Sequence, residues 1–263
     1  MAVDAYDLLF GEPADLQWFP GQQGPGSVDG AIRAGWLGSL GPSIDPSMWP
    51  RGPMTGLPMM HVLTMWLPPA YRRRGPTFPG IAFFQGEGQF AVKGEEVVGD
   101  ASSSDPFLAD LAAATPHPQS TLLTDMIDGR FALLWLTESE LARPTSPPRD
   151  VRRDRSRAPV DDGPNAWDDV EPTVPIWHLR RDDRNAGIAP REGDSGGYLE
   201  PDRDTALRFS RRSHLGGTAL PAQAIPEGLT PYYLELEEVS GMNLGGGNLQ
   251  LDLESGIFDW ACD

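Results

Sequence analysis

The sequence predicts an α+β protein that is mainly β, made of two intertwined similar halves with short helices. Its 263 residues include 30 glycines and 27 prolines, above the average usage of about 7% and 5%, so turns are frequent and the elements between them are short. Hydrophobic residues make up 39% of the chain, with 8 tryptophans and 10 phenylalanines, which is enough to build a core. The third observation is an internal repeat.

Two stretches of the chain follow the same order: a glycine turn, a proline-broken loop, a strand, a second glycine turn and a second strand. In the first stretch the strands are residues 59–67 and 81–84. In the second stretch they are residues 232–236 and 248–253. Because two copies are too few for a stacked array, the pattern indicates a duplicated β-rich unit.

The residues that carry the duplication also carry a family resemblance. They are residues 49–50, 56–58 and 67–84 in the first copy, and residues 213–217, 223, 233–236 and 242–247 in the second. Both sets resemble the YwqG-like family of bacterial proteins of unknown function. The resemblance implies a single domain over residues 1–263, with an N-terminal half of about 1–142, a charged proline-rich insertion at 143–175 and a C-terminal half of about 176–263. The chain departs from the family where glycines 245–247 replace an aspartate-rich turn.

Three segments predict short helices. Residues 2–19 have an acidic, partly apolar composition and are expected to form the first. Asp105, followed by proline, predicts the start of a helix over residues 107–114, because proline is favoured at the first helical position. Residues 137–141 are expected to form a third helix, which a nearby proline ends.

One hairpin and two charged loops complete the predicted elements. Asp128-Gly129 lies between apolar runs and predicts a tight turn between two strands. The insertion at 143–175 contains prolines, five arginines between positions 149 and 157, and then a run of acidic residues. Such a long segment is expected to be functional or disordered, and its charges either neutralise one another in solvent or serve a partner. A second charged loop spans residues 180–203.

The charge and the cysteine content limit the cellular compartment and the kinds of partner that we expect. The net charge of −17 repels nucleic acid, because phosphate binding needs a basic surface. It either steers a basic partner or simply keeps the protein soluble. The single cysteine, Cys262, excludes an internal disulfide, and the acidic residues 1–7 do not resemble a signal peptide. No apolar run approaches the ~20 residues of a membrane span, so we expect a cytoplasmic protein without membrane contact.

A search for catalytic groups finds no organised set. Residues 193–197 copy the nucleophile loop of trypsin-like serine proteases, in which a histidine activates the serine. Ser195 lies in a hydrophilic loop, and no histidine has that family's alanine and cysteine neighbours, so we interpret the match as chance. With one cysteine and widely separated histidines, the chain has no zinc spacing, and no cofactor or metal is expected. The histidines are His61, His117, His178 and His214.

Acidic residues alternate with leucines in two strands near the C-terminus. Successive side chains of a strand point to opposite faces, so residues 233–237 and 249–254 each place carboxylates on one face and leucines on the other. If the two strands pair, one face carries all four carboxylates and suits a basic partner, although a plain solvent-facing sheet is the alternative. The predicted partner-binding residues are Glu235, Glu237, Asp252 and Glu254.

The leading functional hypothesis combines the resemblance with the charge. The resemblance to the YwqG-like family implies a place beside secreted bacterial toxins, and an acidic, non-catalytic, cytoplasmic domain suits an immunity protein that occludes a basic toxin. A nuclease is the expected toxin, because carboxylates can replace nucleic-acid phosphates in its substrate groove. The first alternative is a small-ligand-binding or enzymatic domain with a site between the halves, near Trp49, His61 and His214. A structural or regulatory scaffold is the second.

Overall fold

Eleven strands form one antiparallel, nearly closed sheet in the computed structural model, which describes residues 3–12, 30–88, 96–153 and 163–262. The predicted class, mainly β with few helices, is confirmed. The strands are β1 (Ala5–Phe10), β2 (Ile32–Leu37), β3 (Met60–Trp66), β4 (Gly80–Gln85), β5 (Ser120–Thr124), β6 (Arg130–Leu136), β7 (Val174–Arg181), β8 (His214–Leu215), β9 (Tyr233–Glu237), β10 (Asn248–Asp252) and β11 (Phe258–Ala261). The helices are α1 (Pro106–Ala113) and α2 (Arg203–Phe209), with 3-10 turns at Pro46–Met48 and Pro69–Tyr71.

The strand order shows how the two halves are intertwined. Across the sheet it runs β11-β10-β9-β8-β1-β7-β2-β3-β4-β6-β5. Strands β2, β3 and β4 follow outward from β7, and β8, β9 and β10 follow outward from β1 in the same way. Strand β1, from the N-terminal half, therefore lies next to the strands of the C-terminal half. Strand β7, from the C-terminal half, lies next to the strands of the N-terminal half. This exchange places the repeated strands β3 and β9, and β4 and β10, in equivalent positions.

Side chains of both halves share the main core, and its packing brings the sheet edges close together. Leu63 of β3 and Leu234 of β9 are fully buried in the same cluster. Phe258 of the edge strand β11 packs on Phe131 of β6, with 4.9 Å between ring centroids. Beside them, the Gln85 side chain exchanges two hydrogen bonds with the Asn243 backbone. Burial of this apolar surface is the main force that curls the sheet.

The predicted helix over residues 2–19 is wrong where the structure describes it. Ala5–Phe10 forms β1, which pairs with β7 on one side and β8 on the other. Ala5 and Leu8 are buried, so pairing on both edges and packing override the local helical preference. Residues 13–19 of the predicted helix lie outside the described residues.

The other predicted local elements have mixed outcomes. α1 is confirmed, and its N-cap Asp105 accepts the Phe107 N–H at 3.0 Å. The hairpin of β5 and β6 is also confirmed, with Asp128 in the left-handed region at φ 65°. Residues 137–141 form a turn instead of a helix. Helix α2 is not predicted by the sequence, and it begins at Arg203, the last residue of the predicted charged loop.

The described parts of the insertion contact the N-terminal half instead of extending into solvent. Asn165 forms a bridge with Met59, and the Trp167 indole N–H donates to the Pro148 carbonyl at 2.8 Å. The Arg152 guanidinium lies 4.9 Å from the Trp167 ring and binds Asp168 at 2.7 Å. Arg152 thus follows the expectation that nearby aspartates neutralise these arginines.

Candidate protein-binding surface

The four predicted partner-binding carboxylates lie on the expected hairpin, but they do not form one exposed face. β9 pairs with β10 and places Glu235 opposite Gln250, and Tyr233 opposite Asp252. Glu235 is 1% exposed and Asp252 is 0% exposed, because residues 217–230 cover this face of the hairpin. The prediction of a solvent-facing acidic patch is therefore wrong for these two residues.

Glu235 is buried and held by hydrogen bonds within the protein. Its carboxylate accepts the Leu220 N–H at 3.0 Å and the Gln250 side-chain N–H at 3.3 Å. Burial raises its pKa to about 8, and the nearby charge of Glu237 adds to this effect. His214 Nδ1 lies 3.8 Å from the carboxylate, but burial lowers the His214 pKa to about 3. The two groups therefore do not form an ion pair at neutral pH.

The other three carboxylates also have defined positions. Asp252 accepts the backbone N–H groups of Thr230, Glu254 and Ser255, so it organises the turn after β10. The exposed Glu254 binds Arg73. Glu237 is half-buried and accepts a hydrogen bond from the Asn248 side chain. Glu237 and Glu254 remain accessible, but they no longer belong to a single patch.

A second group of buried charges joins the two halves where their strands exchange. Arg181 of β7 contacts Asp7 of β1 at 3.2 Å and Asp183 at 2.8 Å, and donates to the Gly216 carbonyl after β8. Burial would raise the Asp183 pKa, but Arg181 and the Thr218 hydrogen bonds outweigh it and the pKa is lowered. The cluster links β1, β7 and the segment after β8, and removing one partner of such a buried pair is strongly destabilising.

The residues of the alternative ligand site do not converge on one cleft. His61 is buried, with Nδ1 2.5 Å from the Gly38 carbonyl and Nε2 2.7 Å from the Thr64 hydroxyl. His214 lies in the C-terminal half, where its ring packs on Tyr233. Trp49 does line a cleft, but neither His61 nor His214 lines it.

The protease-like motif is also unsupported by its surroundings. Ser195 is exposed and forms a bridge with Tyr198, whereas all four histidines are buried. No hydrogen bond in the described part of the chain joins Ser195 to a histidine. Within the same residues, no three histidine, cysteine, aspartate or glutamate side chains are grouped to hold a metal ion. No described helix has the length and apolar character of a membrane span.

Among the described residues, a larger group of unburied carboxylates lies elsewhere, in α1, β5, β6 and their connections. Residues 96–141 contain eight carboxylates and one arginine, which gives a net charge of −7. None of the eight carboxylates is buried. Residues 180–212, by contrast, contain seven carboxylates and eight arginines. Residues 213–262 contain seven carboxylates and no lysine or arginine, but two of the seven, Glu235 and Asp252, are buried. The eight acidic residues are Glu96, Asp100, Asp105, Asp110, Asp125, Asp128, Glu138 and Glu140.

We call residues 96–141 the acidic edge, because its strand β5 is one edge of the sheet. A cleft of about 270 Å³ lies between α1 and β5, and its lining is mainly apolar. At the cleft, Arg51 is held by Asp110 at 2.6 Å. A charge count along the sequence marks this segment together with residues 213–263, which hold eight carboxylates and no lysine or arginine. The position of residues 96–141 at a sheet edge follows only from the strand order.

Comparison of the chain with family models, with curated proteins and with solved structures finds no match. The resemblance to the YwqG-like family therefore remains a prediction from the residues that carry it.

Proposed function

We propose that this chain is a cytoplasmic, non-catalytic immunity protein that binds and occludes a basic toxin, with a nuclease as the expected toxin class. The observation that carries the proposal is the acidic edge, where eight unburied carboxylates accompany one arginine of the segment and the neighbouring Arg51, which pairs with Asp110. A basic substrate groove that binds phosphates also attracts such a surface. The complementary charges chiefly raise the association rate and the specificity of the complex.

The proposal moves the interface away from the hairpin of β9 and β10. Glu235 and Asp252 are buried and hydrogen-bonded, so neither contacts a partner while residues 217–230 stay in place. The carboxylates of the acidic edge need no such rearrangement. Asp128 and Glu138 are both exposed, and they occupy the connections at opposite ends of β6.

The first prediction tests the acidic edge with a double variant, Asp128→Asn and Glu138→Lys. Asparagine tolerates the left-handed backbone at position 128, and Glu138 is exposed, so the fold should survive. The association rate with the basic toxin domain encoded beside this protein should fall by about tenfold at low salt. Stopped-flow fluorescence at 50 and 300 mM salt measures the rate and its salt dependence.

A matched control carries the same change in charge outside the acidic edge. Asp182→Asn with Glu227→Lys also replaces one exposed aspartate and one exposed glutamate. The association rate of this control with the toxin domain should be within about twofold of the wild-type rate. Equal losses in the two variants would mean that only net charge matters, and an absence of binding by the wild-type protein would remove the immunity proposal.

A further inference from the structure

The acidic edge includes strand β5, which pairs with β6 on one side and has no hydrogen-bonded strand on the other side in the described part of the chain. Strand β11 approaches only the C-terminal end of β5, where the Trp260 indole N–H donates to the Asp125 carboxylate. The Asp125 N–H donates to the Gly129 carbonyl, and the Trp135 N–H donates to the Gln119 carbonyl. Because the hydrogen-bonding direction alternates along an antiparallel strand, residues 121 and 123 also face β6. The backbone groups of Leu122 and Thr124 therefore face the open side.

This edge lacks the features that usually keep sheet edges from pairing. Edge strands are commonly protected by charged residues, proline or bulges. β5 has the sequence Ser-Thr-Leu-Leu-Thr, and its pairing with β6 is regular. The opposite edge strand, β11, carries Asp259. Within the strand itself, β5 therefore carries none of these protective features.

Exposed apolar side chains are concentrated on the same hairpin. Leu122 is 58% exposed, Met126 is 88% exposed and Ile127 is 42% exposed. These are three of the eight large hydrophobic side chains that are exposed in the described residues. Leu122 also lines the apolar cleft beneath α1. A strand added beside β5 would therefore find apolar surface next to its backbone partners.

The charges around β5 select the kind of strand that can bind. Asp125 and Asp128 lie at its C-terminal end, with Arg130, which donates to the Thr124 hydroxyl at 2.5 Å and lies 3.9 Å from Asp128. Near its N-terminal end, Glu140 contacts His117 at 3.0 Å, and Glu138 is on the same turn. A second copy of this chain would bring like charges together across the pair, which is unfavourable. A strand with lysine or arginine near its ends is complementary.

We propose that the open edge of β5 accepts an extended segment of the basic partner, which pairs with the backbone of Leu122 and Thr124. An apolar side chain of that segment contacts Leu122 at the cleft, and its basic residues face the carboxylates at the strand ends. This mode is β-strand addition, in which main-chain hydrogen bonds provide affinity and side-chain pockets provide specificity. The inference rests on the proposed function for the identity of the partner.

A pair of variants at position 124 isolates the backbone contact. Thr124→Pro removes the N–H that faces the open side and leaves the hydrogen bonds to β6 intact, as proline is tolerated on edge strands in that orientation. Thr124→Val keeps the N–H and is the matched control. The probe is a fluorescent eight-residue peptide that alternates lysine with valine, and the comparison peptide alternates glutamate with valine. Fluorescence anisotropy at 50 mM salt measures both.

The lysine peptide should bind wild type and Thr124→Val with similar affinity, and at least about tenfold more weakly to Thr124→Pro. Leu122→Lys, a change at an exposed side chain, should weaken binding similarly if Thr124→Pro fails to fold. Equal binding of the peptide to all folded variants, or equal binding of both peptides, overturns the inference. A dimer of the chain alone that Thr124→Pro abolishes also overturns it, because the occupant is then a second copy.

The toxin domain from the first experiment separates this inference from the proposed function. Peptide binding at β5 without any toxin binding rejects the immunity proposal and keeps the strand-accepting edge. Toxin binding that depends on Asp128 and Glu138 but not on Thr124 keeps the immunity proposal and rejects strand addition.

Discussion

At the scale of single residues, the buried carboxyl of Glu235 links stability to pH. Its pKa of about 8 in the folded protein lies above the value of about 4.3 in an unfolded chain. Between these pH values the folded state keeps a proton that the unfolded state has lost. Stability contributed by this group is therefore fully present below about pH 4.3, and it declines as the pH rises through 8.

Replacing Glu235 with glutamine should remove this decline. Glutamine resembles the protonated carboxyl, and its amide oxygen can replace the Glu235 oxygen that accepts the Leu220 and Gln250 N–H groups. The variant should be more stable than wild type by about 1–3 kcal/mol at pH 9, and within about 1 kcal/mol of it at pH 5. Urea unfolding at pH 5, 7 and 9 measures the free energies.

The exposed Glu227→Gln is the control for this experiment and should follow wild type at every pH. The buried histidines His61 and His214 have lowered pKa values, but they are present in all three proteins and their effects cancel in the comparison. If the curves of Glu235→Gln and wild type ran parallel from pH 5 to 9, Glu235 would be ionised in the folded protein.

At the scale of elements, α1 shows how a short helix depends on its ends. It has eight residues, which is too short for a stable isolated helix. Asp105 satisfies the Phe107 N–H, and Ala114 ends the helix with a bond to the Leu111 carbonyl. The remaining stability comes from packing, as Phe107 contacts Trp167 of the insertion with 5.9 Å between ring centroids.

Asp105→Ala should lower the free energy of unfolding by about 1 kcal/mol, because the alanine cannot accept the Phe107 N–H. Asp105→Asn keeps an acceptor without the charge and should cost less than about 0.5 kcal/mol. Thermal and urea unfolding of the two variants give the comparison. An equal loss in both would assign the effect to the negative charge instead of the cap.

At the scale of the whole molecule, the exchange of β1 and β7 makes each half incomplete without the other. β1 pairs with β8, and β7 pairs with β2. Arg181 and Asp7 form a buried ion pair across the central pair of strands. Removing one partner of a buried ion pair is strongly destabilising, so this centre resists separation of the halves.

Cutting the chain between Arg153 and Gly163 should therefore leave the two fragments associated. An inserted site for a specific protease allows the cut, and the uncut protein with the same insertion is the control. The fragments should elute together in size-exclusion chromatography and separate only in denaturant. Separation in native buffer would contradict the intertwined fold, because each fragment would then hold its own strands.

The sequence by itself determined the features that depend on local geometry. Frequent glycine and proline predicted short elements in a mainly β fold. Asp128-Gly129 predicted its turn because few residues tolerate the left-handed backbone, and Asp105 predicted the start of α1. The alternation of leucine and carboxylate correctly separated the two faces of β9, since the period of a strand is two residues.

Only the tertiary structure decided which of these surfaces meet solvent. Residues 3–10 have a helical preference, but residues 5–10 form β1 because they pair with a strand on each side. The alternation in β9 places Glu235 on the face that points away from the main core. The same pattern does not show that residues 217–230 cover that face. The charge of residues 96–141 is visible in the sequence, whereas the open side of β5 follows from the strand order. Covering and edge positions are set by contacts between distant segments, and no local pattern encodes them.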